Sequence, residues 1–225
     1  MTRKTTEVLS REFLELEEQS RRNPIGGSRL FKLLLAGDLN AGKSSVRSNL
    51  ARFLGMKDFY VGDVFREMAR NRGQTLNDFY SSLDPETEKS IDRKWILEKL
   101  LLNRRILIEG RIAPFVETVA AQLGITLPSW EKAIRIKLCL TVDEGVGAQR
   151  ALQRPENAGK TLKQIIEESR VRMNNERKHY LDLYGIIDHT DRTLFDIVID
   201  TTRITQQEVL QEAYYMISEL VKKNE

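Results

Sequence analysis

The apolar run Leu30-Phe31-Lys32-Leu33-Leu34-Leu35-Ala36 passes directly into Gly37-Asp38-Leu39-Asn40-Ala41-Gly42-Lys43-Ser44. No other feature restricts the fold as much. A short, nearly continuous apolar segment predicts a strand buried on both faces. The eight residues after it match G-x-x-x-x-G-K-[ST] at every fixed position. Glycine at 37 and 42 opens backbone angles closed to residues with a Cβ, so successive N–H groups can converge on one anion. A helix starting near Lys43 adds its partially positive end to the same spot. Gly37, Asp38, Leu39, Asn40, Ala41, Gly42, Lys43, Ser44 and Ser45 are therefore expected to bind the phosphates of a nucleoside triphosphate. Lys43 is the mobile cation for the β- and γ-phosphates, and Ser44 offers a hydroxyl to Mg²⁺.

Four further apolar runs follow, at Asp58–Val61, Arg105–Glu109, Arg135–Thr141 and Phe195–Thr201. Helical patterns separate them, near Lys43–Leu54, Asp63–Arg72, Thr75–Ser82, Glu86–Asn103, Pro114–Leu123, Asp143–Gln153, Thr161–Tyr184 and Thr205–Lys222. Alternation of this kind predicts an α/β fold: a P-loop NTPase of three αβα layers around a five-stranded parallel sheet. Thr75 or Asn77 can cap the third helix, and Thr205 with Glu208 forms a capping box at the last. Residues 1–28 stand apart before the glycine pair 26–27 and read as an accessory helix or tail. Residues 29–225 form the domain.

With 225 residues, 40% hydrophobic and 31% charged, the chain reads as one globular unit. A net charge of +3 without a clustered basic face gives no warrant for nucleic-acid binding. Cys139 lies inside an apparent strand and reads as a buried, inert thiol. One cysteine and two histidines leave no plausible zinc site. No apolar stretch has the length of a membrane span, and the N-terminus lacks the apolar centre of a signal peptide, so a cytoplasmic location is expected.

A phosphate loop alone does not separate motors, switches and kinases, but there is no N-K-x-D segment and no helicase-sized domain. Arginines instead recur at strand ends and along one long helix. Alignment and neutralisation of two anionic substrates needs that pattern. Three strings are specific: Val61-Gly62-Asp63-Val64-Phe65-Arg66, Leu107-Ile108-Glu109-Gly110-Arg111-Ile112-Ala113, and Arg177-Lys178-His179-Tyr180-Leu181-Asp182-Leu183-Tyr184-Gly185-Ile186 followed by Phe195-Asp196-Ile197-Val198-Ile199-Asp200-Thr201. In this order after the P-loop they resemble the nucleoside monophosphate kinases, in particular the short archaeal-type cytidylate kinases. The resemblance covers roughly residues 30–220.

It implies ATP and Mg²⁺ as cofactors, small-molecule nucleotide substrates, an acceptor-binding region at about 62–104 and a helical lid at about 150–160. Asp63, Phe65, Arg66, Gly110, Arg111 and Arg177 are the implied acceptor-binding residues. Arg66 and Arg111 are the guanidinium pair for the acceptor phosphate. Lys43, Arg150, Arg154 and Arg172 are implied to be catalytic, with Arg150 and Arg154 four apart on one helix face. Arg170 and Arg177, seven apart, also share a face. Ser44 and Glu109 are the implied metal-side residues.

The chain departs from the family pattern at His179 and Gly147, both positions where arginine is usual. The segment Ile187–Asp191 does not align cleanly with it, which leaves the base-reading carboxylate unassigned. Leu123–Trp130 adds a loop, expected to contact a second subunit or cover the nucleotide. Monomer and homodimer both remain open. The activity implied is transfer of the γ-phosphoryl group of ATP to CMP or dCMP. A P-loop kinase for another monophosphate or small metabolite, and a non-catalytic nucleotide-binding regulator, are the alternatives.

Overall fold

The computed structural model describes residues 30–100, 105–127, 130 and 132–223, with 15, 18, 22 and 25–27. The accessory segment 1–28 lies largely outside the described residues. β1 (Phe31–Gly37), β2 (Lys57–Tyr60), β3 (Ile106–Glu109), β4 (Ile134–Thr141) and β5 (Ile197–Asp200) form one sheet in the order β2-β3-β1-β4-β5. Every pairing is parallel; Leu33 stands opposite Leu107 on one side and Ile136 on the other. The strand with the most continuous apolar sequence is the central one.

Side-chain alternation along β1 divides the core into two layers. Leu33 and Leu35 pack with Leu50, Phe53, Leu138 and Ile217 on the face covered by α1 (Lys43–Phe53) and α8 (Gln206–Lys223). Leu34 packs with Trp95, Ile108, Val119 and Tyr184 on the other face. The elements there are α2 (Val61–Asn71), α3 (Leu76–Ser82), α4 (Pro85–Trp95) and α5 (Val116–Gln122), with α7 (Leu162–Tyr184) ending against them. A third, small cluster of Ala148, Ala151 and Ile165 joins α6 (Glu144–Leu152) to α7. It is separate from both main layers.

Local chemistry fixes most ends. Thr75 Oγ1 accepts from the Asp78 N–H, Asp84 caps α4, and Thr161 with Gln164 forms a capping box on α7. Thr205 and Glu208 exchange the same reciprocal bonds at α8. The helix over 86–103 changes character: α4 ends at Trp95 and a π-helical turn spans Ile96–Leu100. β2 runs from Tyr60 straight into α2, which starts at Val61. Asp63 thus falls in the first helical turn and does not cap the helix. The loop after α5 turns its aromatic residue inward. Trp130 is buried in the chain's own core with Nε1 bonded to Glu117, and Ile125 and Leu127 pack beside it. The described part of the loop packs on this chain's own core.

Candidate active site

The turn between β1 and α1 sits at the C-terminal edge of the central strand, where ligands of open α/β sheets collect. Its backbone turns left-handed three times, at Gly37 (φ 135°), Asn40 (φ 64°) and Gly42 (φ 85°). Asn40 is the one positive-φ residue other than glycine among the described residues. A Cβ on Gly37 would lie 2.0 Å from Leu140 O, so β4 itself demands glycine there. Asp38 is tied across to β4: its N–H donates to Leu140 O (2.9 Å) and its Oδ2 accepts from Val142 N–H (3.1 Å). The loop is thus braced from β4 and forms the anion-binding concavity that the motif requires.

Lys43 folds back over this loop, with Nζ donating to Gly37 O (3.0 Å) and Asp38 O (2.5 Å). Burial, and next the nearby Arg111 charge, push its pKa down to about 7. A polyphosphate arriving beside it supplies the missing countercharge. Ser44 Oγ lies 3.5 Å from Glu109 Oε1, and Arg47 Nη1 lies 3.5 Å from Glu109 Oε2. Burial raises the Glu109 carboxyl above its usual range, against the pull of Lys43 and Arg47. Glu109 Oε2 is buried and lacks a hydrogen bond. A hydroxyl and a buried, under-bonded carboxylate at the mouth of a phosphate loop suit a hard cation that keeps most of its waters. Among the described residues no three His, Cys, Asp or Glu side chains cluster as a metal cage; magnesium bound through substrate phosphates does not need one.

The second half of the site is built on α2, α4, α7 and the end of β3. Arg111 is held at both ends: Nη1 donates to Gly37 O (2.8 Å) and Nε lies 3.0 Å from Glu176 Oε2. Glu176 Oε1 accepts from Arg172 Nε at 2.8 Å. One carboxylate therefore bridges two guanidiniums. Burial opposes its ionisation, but His189 alongside and the two arginines outweigh that and hold the carboxyl at about 2. Arg66 and Arg47 both stack on the Tyr60 ring, 4.9 and 5.1 Å from its centroid, and Arg66 also pairs with Asp63 at 3.2 Å. The ring of Phe65 stacks on Tyr80 at 5.2 Å. Gly110 must be small, since a Cβ there would reach Val61 at 2.8 Å. Glu176, His189, Tyr60 and Tyr80 escaped the sequence reading. Glu176 alone carried a signal, four residues from both Arg172 and Tyr180 on one helix face.

Several arginine expectations change. Arg150 is held on the end of β5, donating to Thr201 Oγ1 (3.0 Å) and Thr201 O (2.6 Å). Arg154 does not share its helix face, because α6 ends at Leu152 and Arg154 is the extended residue opening a 3₁₀ turn over Pro155–Asn157. The lid tip is a 3₁₀ turn, and Asn157 Nδ2 ties it back to Ala151 O at 2.8 Å. Arg177 braces the loop after α7 through Asp188 Oδ1 (3.3 Å) and Thr190 Oγ1 (2.8 Å). Arg170 pairs with both oxygens of Glu144.

The two departures gain physical reasons. Gly147 packs against the phosphate loop: a Cβ there would lie 3.1 Å from Val142 Cγ1 and 3.4 Å from Leu39 O, so a larger side chain is crowded at this position. His179 Nε2 lies 2.9 Å from Glu88 Oε2, joining α7 to α4. Buried Asp92 nearby accepts from Trp95 Nε1 (2.7 Å) and from the Tyr184 hydroxyl.

A phosphate loop at the switch point of a five-stranded parallel sheet, faced by a carboxylate-bridged arginine pair, defines the class as the P-loop kinases. The shikimate kinase of Acinetobacter baumannii, solved with shikimate, superposes with a TM-score of 0.52 at 18% identity, covering 84% of this chain and 93% of that one, which speaks to the fold. No family model matches the chain. The cytidylate kinase of Thermococcus kodakarensis is 32% identical over 172 residues, 75% of this chain and 78% of its own length. That of Pyrococcus abyssi is 29% identical over 194 residues, 85% and 96% of the two chains. The chain belongs to the cytidylate kinase family, and with it to the nucleoside monophosphate kinases.

Proposed function

We propose that this chain transfers the γ-phosphoryl group of ATP to CMP or dCMP, giving ADP and CDP or dCDP. The observation that carries the reading is the contact between the two halves of the site. Arg111 bonds the Gly37 carbonyl at 2.8 Å, so an acceptor phosphate gripped by Arg111 would lie against the triphosphate cradle. In-line transfer requires that proximity. The choice of cytosine follows the relatives named cytidylate kinase.

In this reading Gly37 to Ser45 hold the ATP phosphates, and Lys43 leaves its loop carbonyls for the β- and γ-phosphates. Ser44 and Glu109 would hold Mg²⁺, directly or through water. When bound, Mg²⁺ neutralises charge on the phosphate oxygens. Arg66 and Arg111 orient the acceptor phosphate, with Asp63, Phe65 and Gly110 shaping the acceptor side. Arg172 and Arg154 neutralise charge during transfer, and Arg150 fixes the end of β5 beneath the cradle. No general base is needed, because the attacking phosphate oxygen is already anionic. Arg111→Ala should lower kcat/KM for CMP by about 100-fold or more, with ATP affinity changed only a few-fold. An unchanged kcat/KM for CMP would refute the acceptor assignment.

A further inference from the structure

His189 lies in the loop between α7 and β5 and is only 3% exposed. Neither of its ring nitrogens has a hydrogen-bond partner among the described residues. It lines a small cavity against the phosphate loop, with Gly37, Asp38, Arg111 and Thr190. A buried imidazole left without a partner is costly, and such groups mark places where something else must engage. The ring is nevertheless well held. Tyr180 packs edge-on against it at 5.2 Å, and the Thr190 N–H and hydroxyl both donate to Asp188 Oδ1. Arg177 clamps the same turn from α7.

An oxygen of Glu176 lies near this ring: Nε2 is 3.6 Å from Oε2, just beyond bonding distance. That same oxygen lies 3.0 Å from Arg111 Nε. Glu176 therefore occupies the Nε edge of the guanidinium that the acceptor phosphate is to use, and the two anions compete for that edge. A carboxylate displaced from Arg111 keeps its charge in a largely buried position unless another donor receives it. We propose that His189 is a positioning residue for phosphoryl transfer: it receives Glu176 when the acceptor phosphate takes Arg111. A shift of under 1 Å closes the gap to bonding distance. Arg172 holds the other oxygen of Glu176 throughout. The role is indirect, exerted through Glu176, and it rests on the reading of Arg111 as the acceptor-phosphate residue.

The test compares His189→Leu, His189→Gln and the double variant His189→Leu/Glu176→Gln with wild type. It uses steady-state kinetics with CMP and ATP, calorimetric CMP binding and thermal melting. His189→Leu should raise both KM and Kd for CMP tenfold or more, leave KM for ATP within twofold, and not lower the melting temperature. His189→Gln keeps a donor near Nε2 and should recover most of the CMP affinity. In the double variant the competing charge is gone, so the affinity for CMP should return towards wild type. Unchanged CMP affinity in His189→Leu overturns the inference. So does an equal rise in both KM values with a lower melting temperature, which marks a packing role. Wild-type protein that neither binds nor phosphorylates CMP would instead overturn the functional reading, and this inference with it.

Discussion

Replacing Gly37 by alanine places a methyl group 2.0 Å from Leu140 O and 2.6 Å from Leu140 N, both backbone atoms of the neighbouring strand. No rotamer change relieves that contact, so β1 and β4 must separate at their C-terminal ends. The left-handed φ of 135° adds about 1–2 kcal/mol for a residue with a Cβ. Loss of the 2.9 Å bond from Asp38 N–H to Leu140 O removes about 1 kcal/mol. Strand displacement against a packed core adds about 1–3 kcal/mol. A total on the order of 4 kcal/mol corresponds to a fall in Tm of about 8–16 °C for a chain of this size. Gly42 is the internal control: its φ is 85°, but a Cβ there meets nothing within 4 Å. Gly42→Ala should therefore carry only the conformational term, about 1–2 kcal/mol or a Tm shift of about 2–8 °C. Differential scanning calorimetry of the two variants without nucleotide makes the comparison. Equal shifts, or a larger one for Gly42→Ala, would show that β4 does not brace the loop as described.

Other consequences follow from the ionisable groups. Lys43 is held down at about 7, and phosphate raises it, so ATP binding at pH 8 should take up close to one proton. Calorimetry in two buffers of different ionisation enthalpy reads this directly; zero uptake contradicts it. His179 is raised chiefly by its hydrogen bond to Glu88, so its stabilisation is fully present below its ordinary pKa of 6.5 and fades as pH rises through the higher folded value. The Tm gap between wild type and His179→Gln should accordingly shrink from pH 6 to pH 9, and a constant gap would be the wrong result. Burial raises the Asp92 carboxyl to about 6 against its bonds from Tyr184 and Trp95. Tyr184→Phe should lose about 1–3 kcal/mol in urea unfolding at pH 7.5 and less at pH 5, where Asp92 is protonated. Equal losses at both pH values would contradict that coupling.

Much of the fold was legible because its signals are local. The apolar run into Gly37 announced the central strand, and Thr75 and the Thr205–Glu208 box announced helix starts with their own side chains. Boundaries slipped where a strand met a helix without a turn, as at Tyr60–Val61, since nothing in the sequence punctuates that junction. The arginines were visible as a group, but their partners were not. Arg150 on Thr201, Arg170 on Glu144 and Arg177 on Asp188 each depend on which surface packs across from the helix, and that is set by tertiary contacts. Glu176 could be read from its spacing to Arg172. His189 could not, because it sits in an irregular loop whose path is decided by Arg177, Asp188 and Thr190 together.

The most direct test of the account is a coupled assay of ADP release with ATP and Mg²⁺, scanning CMP, dCMP, UMP, AMP, GMP and dTMP as acceptors. Turnover with CMP and dCMP is expected well above that with the other four. Tight ATP binding without turnover on any of the six would contradict it.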